Sequence, residues 1–118
     1  ILDGPVWVKG DKTHFNRLFS NLILNAIQAI PENRKPVVDI VETRSAEAVQ
    51  IRIIDNGSGI DPAVQEKIFT PNFTTKSSGT GLGLAMCKRI VEQAEGSIWF
   101  ETRPDEGTTF FIELPVIN

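Results

Sequence analysis

Two hydrophobic rhythms alternate along this chain. Phe15, Leu18, Phe19, Leu22, Ala26 and Ile30 recur at helical spacing, and Asp11, just past Gly10, is placed to cap the start. This predicts a helix with one buried face, ending near Ile30 before a polar loop from Pro31 to Pro36. The period then drops to two. Val37 to Glu42 and Ala48 to Ile54 read as strands around a turn at Ala46-Glu47. Val49, Ile51 and Ile53 alternate with Gln50 and Arg52, as a strand with one buried face requires. Asp61-Pro62 offers an N-cap followed by proline at the first helical position, predicting a short helix to about Ile68.

Residues 70 to 80, rich in Ser, Thr, Pro, Asn and Gly, read as a mobile loop. Helical spacing returns from Thr80 or Gly81 to about Ala94, with Leu84, Cys87, Val91 and Ala94 on one side. Ser97 to Arg103 and Thr108 to Leu114 form a closing hairpin around Pro104-Asp105-Glu106-Gly107, and Val6-Trp7-Val8 reads as a short opening strand. These elements predict an α+β fold. It is a two-layer sandwich with one mixed, mostly antiparallel sheet and helices on one face.

Composition narrows the classes of function. At 118 residues, with 41% hydrophobic and 23% charged positions, the chain suits one soluble globular domain spanning 1–118. A net charge of -3 without a Lys/Arg run gives no field for nucleic acid. No apolar stretch nears the roughly 20 residues of a membrane span. The single Cys87 cannot close an internal disulfide, which points to a reducing, cytoplasmic setting. Ile1 in place of a starting Met suggests a piece of a longer protein.

Three features carry chemistry. Asn21 and Asn25 are one turn apart on the first helix and share a face with Arg17 and Gln28. A solvated face would explain the spacing. Asn is a middling helix former, however, and its amide oxygen is a hard, neutral ligand suited to Mg2+. Asp55 ends a strand and leads into Asn56-Gly57-Ser58-Gly59. That segment reads as a tight turn, or as a carboxylate that accepts the adenine amino group beside backbone bare enough for a flat ring. Guanine places a carbonyl at the equivalent position, which a carboxylate repels. Gly79-Thr80-Gly81-Leu82-Gly83-Leu84 precedes a helix, where free amides and the helix dipole favour phosphate. It is neither a Walker loop nor a dinucleotide fingerprint.

Taken in order, these segments resemble the N, G1, F and G2 boxes of sensor histidine kinases. The residues are Asn21-Leu22-Ile23-Leu24-Asn25-Ala26, Asp55-x-Gly57-x-Gly59, Phe69-x-Pro71-x-Phe73 and Gly79-x-Gly81-Leu82-Gly83-Leu84. Gly107-Thr108-Thr109-Phe110 resembles the closing segment of that family. The likeness implies the Bergerat (GHKL) ATP-binding fold, shared with type II topoisomerases, the Hsp90 chaperone and the MutL repair protein. By position, Asn25 would bind Mg2+, Asp55 would read adenine, and Gly57, Gly59 and Ile60 would line the base pocket. Gly81 and Gly83 would hold phosphates, and Gly79, Thr80, Leu82, Leu84 and Thr109 would add to the nucleotide contacts. Residues 70 to 80 would form an ATP lid carrying Phe73, Thr75 and Lys76.

The resemblance also implies a kinase that passes the γ-phosphoryl group of ATP to a histidine on a separate dimerisation domain, with a response regulator downstream. ATPases of this superfamily carry Glu where this chain has Asn21, which cannot take a proton at neutral pH. Asn21 would therefore orient the acceptor. Many relatives carry Lys or Arg where this chain has Gln28, so Lys76 would supply the missing charge. Phe73-Thr74-Thr75-Lys76 resembles the lid of the nitrogen-regulation subgroup. His14 lies in the first turn of the Asn helix and not in an acceptor-type segment. The rival readings are a GHKL-type ATPase module, a serine-kinase anti-sigma factor, and an interaction domain that binds nucleotide without transfer.

Overall fold

The computed structural model describes residues 7–70 and 83–117. The first helix, α1, spans Lys12–Gln28. Asp11 caps it, with Oδ1 accepting from the amides of Thr13 at 2.7 Å and His14 at 3.3 Å. Those two donors hold the Asp11 carboxyl below the usual range. The helix stops two residues short of Ile30. Ala29 N–H still reaches back to Asn25 O, but Ile30 N–H turns to Ile27 O, the tighter spacing of a closing turn before Pro31.

Strands β1, Val38–Arg44, and β2, Ala48–Asp55, form a hairpin. Its turn is closed by Ser45, whose Oγ accepts from the amides of Glu47 at 3.3 Å and Ala48 at 3.1 Å. Helix α2 spans Gly83–Gln93, and β3, Ser97–Arg103, and β4, Gly107–Pro115, follow. The sheet order is β1-β2-β4-β3, so β4 is inserted between β2 and its own hairpin partner. Every pairing among these four strands is antiparallel, in keeping with the mostly antiparallel sheet expected.

Both helices lie on one face of the sheet. Leu18, Leu22 and Ala26 of α1 and Cys87, Ile90 and Val91 of α2 are buried against Val49, Ile53, Phe110, Ile112 and Leu114 of the sheet. Ile90 belongs to this set although the spacing argument passed over it. Phe69 closes one end, with its ring centroid 6.1 Å from Phe100 and 6.4 Å from Phe110. On the opposite face, Trp99 and Phe111 stack at 5.2 Å with their planes 3° apart.

Of the expected opening strand, Val6 lies outside the described residues, Val8 forms an antiparallel bridge with Val116, and Trp7 O accepts from Ile117 N–H at 2.6 Å. One local expectation fails for a physical reason. After Asp61, a full helix does not form. Asp61 does cap, its Oδ1 accepting from Ala63 N–H at 2.9 Å, yet only turns and a 3-10 segment, Gln65–Lys67, follow. Ile68 and Phe69 must enter the core a few residues later, and so short a helix does not repay its own nucleation. The expected lid, residues 70 to 80, falls almost wholly outside the described residues.

Cys87 is fully buried, and its Sγ donates weakly to Leu18 O at 3.7 Å. Burial pushes the thiol up from 9.0 to about 12. The unfolded chain therefore sheds this proton first, and stability falls as pH rises from 9.0 towards about 12. Chemical denaturation across that window should show a steeper decline for the natural chain than for Cys87→Ala; equal slopes would reject the buried-thiol account. Leu22 has no exposed surface, and Leu22→Ala is expected to cost about 2–5 kcal/mol in urea unfolding. A loss under about 1 kcal/mol would mean that the helix layer collapses to fill the space.

Candidate functional site

The last residue of β2 is a carboxylate with only 6% of its surface exposed. Left without donors, such a group would be costly to bury. Asp55 Oδ1 accepts from Gly57 N–H at 2.8 Å and from Thr108 N–H at 3.3 Å. Thr108 stands opposite Asp55 in the β2–β4 register and is itself buried. Its hydroxyl lies 2.9 Å from Thr102 Oγ1, which donates to Gly107 O at 3.2 Å and accepts from Ile60 N–H at 2.9 Å. Thr102 has one proton to give, so Thr108 is the donor between the two hydroxyls. The chain of bonds links Asp55, the β3–β4 hairpin and Ile60.

The loop after Asp55 has its backbone bonded to the rest of the protein along most of its length. Asn56 Oδ1 accepts from Val37 N–H and its Nδ2 donates to Lys35 O, both at 2.9 Å. Arg34 Nη1 donates to Asn56 O at 2.5 Å and to Gly57 O at 3.0 Å. Ser58 N–H donates to Ala29 O at 3.1 Å, and Ser58 O accepts from Asp105 N–H at 2.9 Å. Gln65 Nε2 donates to Ile60 O at 3.0 Å. At Gly57 a Cβ would stand 2.6 Å from Ala29 O, too close for any side chain. Gly59 takes φ +82°, a left-handed value that favours glycine. The loop is therefore preformed, and the two glycines are required by its packing.

The second half of the site lies between the helices. Asn21 and Asn25 are half-buried on α1, whereas Arg17, Gln28 and His14 are exposed. Asn21 Nδ2 donates to Arg17 O at 2.9 Å. A Cβ on Gly83 would stand 3.0 Å from Asn21 Oδ1, so the first turn of α2 lies directly against this carboxamide. Leu84 packs its side chain on the core, leaving it with a structural duty as well as its place in the motif. Phe73, Thr75, Lys76, Gly79, Thr80, Gly81 and Leu82 lie outside the described residues.

The strand register sets two neighbouring threonines on opposite faces. Thr109 pairs with Ile54 and Glu101 and shares their side of the sheet, away from the helices. Strand alternation gives the place beside Asp55 to Thr108. Counting alternate positions back from the core residue Phe110 would have found it. Thr102 was legible in the same way, as the register partner of Thr108. Arg34 had no signal: it is one cation in a polar loop.

The donor chemistry fits Mg-ATP in outline. Among the described residues no three His, Cys, Asp or Glu side chains gather as a metal cluster. A cation here would take an Asn amide oxygen together with phosphate oxygens and water, a set that Mg2+ accepts.

Comparison with known proteins agrees with this architecture. A family profile described as histidine kinase-, DNA gyrase B- and HSP90-like ATPase matches residues 10–118. The sensor histidine kinase ZraS of Escherichia coli is 41% identical over 109 residues, covering 92% of this chain and 23% of that protein. Sporulation kinase A of Bacillus subtilis is 36% identical over 110 residues, covering 93% of this chain and 18% of that protein. The chain thus spans less than a quarter of the length of these relatives. The solved catalytic domain of histidine kinase ThkA superposes with a TM-score of 0.78 at 38% identity, covering 92% of this chain and 70% of that one. By fold, motif order and sequence, the chain belongs to the histidine kinase-, DNA gyrase B- and HSP90-like ATPase family, with sensor histidine kinases among its relatives.

Proposed function

We propose that this domain binds Mg-ATP and delivers the γ-phosphoryl group to a histidine on a separate dimerisation domain, in cytoplasmic two-component signalling. The observation that carries the reading is the buried Asp55 carboxylate, held in one orientation by two backbone amides. A carboxylate so fixed accepts from the adenine amino group without reorganising, and it repels the guanine carbonyl. Gly57 and Gly59 leave the ring room to lie against the backbone, and Thr108 takes the role first given to Thr109.

On the phosphate side, Asn25 would hold Mg2+, and Asn21 with Gly83 would flank the transferring group. Mg2+ would neutralise charge on the β- and γ-phosphates. Asn21 is no base, and its Nδ2 is engaged by Arg17 O, so its part is orientation. Lys76 would bring a positive charge from the lid, since Gln28 is neutral and exposed. Transfer then rests on placing the acceptor nitrogen in line with the γ-phosphorus, the kind of positioning that needs no strong base. Relatives that are sensor histidine kinases support this reading over ATP hydrolysis.

Calorimetric titration with ATP and GTP, each with and without Mg2+, tests the binding half. ATP should bind at least about tenfold tighter than GTP, and Asp55→Asn should remove about tenfold or more of the ATP affinity. Unchanged affinity in that variant would refute the adenine assignment. Incubation with a histidine-bearing dimerisation domain tests the transfer half, with acid-labile phosphate on that partner as the expected product. Lys76→Ala should lower the transfer rate by about tenfold or more while adenosine binds as before. An equal loss for adenosine would exclude a phosphate role for Lys76.

A further inference from the structure

We propose that Arg34, which lies outside every motif, is a positioning residue that sets adenine affinity by orienting the peptide that clamps Asp55. The proposal rests on the nucleotide reading above and adds a residue to it. The peptide joining Asn56 to Gly57 is held at both ends. Its carbonyl, Asn56 O, accepts from Arg34 Nη1 at 2.5 Å. Its N–H, on Gly57, donates to Asp55 Oδ1 at 2.8 Å. A peptide is planar, so fixing the carbonyl direction fixes the N–H direction.

The following peptide repeats the arrangement. Gly57 O accepts from the same Arg34 nitrogen at 3.0 Å, and Ser58 N–H donates to Ala29 O at 3.1 Å. Between these two planes stands Gly57, the residue with the least intrinsic restraint on either dihedral. Arg34 thus supplies rigidity where the close approach of Ala29 O forbids a side chain. The guanidinium charge also polarises each carbonyl, which strengthens the N–H at the far end of the same peptide. Arg34 is anchored in turn, its own N–H donating to Pro31 O at 3.1 Å. Asn56 ties the same stretch through Lys35 O and Val37 N–H, so the polar loop before β1 and the loop after β2 form one unit. No contact between Arg34 and nucleotide is needed; it acts through Asp55.

The test compares the natural chain with Arg34→Ala, Arg34→Lys and Asp55→Asn. Calorimetry with adenosine, ADP and Mg-ATP is paired with amide exchange at Gly57 and Ser58 in the absence of nucleotide. Arg34→Ala should weaken all three ligands by one common factor of about five to ten, leaving the ratio between ADP and adenosine unchanged. Exchange at Gly57 and Ser58 should quicken by about tenfold, and Arg34→Lys should recover most of both losses. Adenosine affinity within twofold of the natural chain would overturn the proposal. A loss confined to ADP and ATP would also overturn it, because it would place Arg34 on the phosphates. So would a loss accompanied by a lowered Tm that Arg34→Lys does not recover, since that is a purely structural effect. A natural chain that binds none of the three ligands overturns the nucleotide reading and this proposal together. Binding that Asp55→Asn removes and Arg34→Ala leaves intact overturns this proposal alone.

Discussion

A buried carboxylate at the end of β2 must find donors, and the rest of the site follows from how it does so. Gly57, two residues on, supplies one amide locally, and Asp55 has its second, from Thr108, because β2 and β4 pair in the register that sets Thr108 opposite it. A slip of one residue would carry Thr108 to the other face of the sheet and leave the carboxylate short of a donor. The same register places Ile53 opposite Phe110, two of the residues that seal the core. Core packing and site geometry are therefore one constraint. A substitution that loosens the Phe69, Phe100 and Phe110 ring cluster acts at the end of the sheet where Asp55 is held.

The two halves of the site are built by different means. The proposed adenine side is a loop bonded through its backbone to three other segments: the end of α1, the stretch before β1, and the β3–β4 turn. Such a loop would need no reorganisation on receiving a base. The proposed phosphate side depends on two helices lying close together. Leu18 and Leu22 of α1 and Cys87 and Val91 of α2 are buried without residue, and that packing sets how near Gly83 comes to Asn21. On the proposed reading, preorganisation by hydrogen bonds would serve recognition, and preorganisation by apolar packing would serve placement of the transferring group.

What could be read from the sequence divides along the same line. Alternation in β2 and the apolar stripe of α1 were legible because one face of each is buried, and burial writes a period into the sequence. Asp11 and Asp55 were legible because an aspartate at an element boundary has few structural uses. Thr108, bonded to Asp55, passed unremarked beside Thr109, although the parity of Phe110 sets it on the core side. The helix after Asp61 was predicted from a sound cap, and it fails because the core claims Ile68 and Phe69, a demand that no local signal reports. Arg34 could not have been found, because its importance lies in two carbonyls more than twenty positions away.

The identity of residue 21 bears on what such a site can do. Asn21 donates from Nδ2 to Arg17 O and turns its Oδ1 toward the first turn of α2. A carboxylate there could not donate to Arg17 O, and it would set a negative charge beside the place where phosphate is proposed to lie. That arrangement suits a base drawing a proton from water, which is what hydrolysis asks for. A neutral amide gives up the base and avoids the repulsion. On the proposed function, a domain built this way would hold nucleotide ready and leave the proton of the acceptor to the partner that carries it.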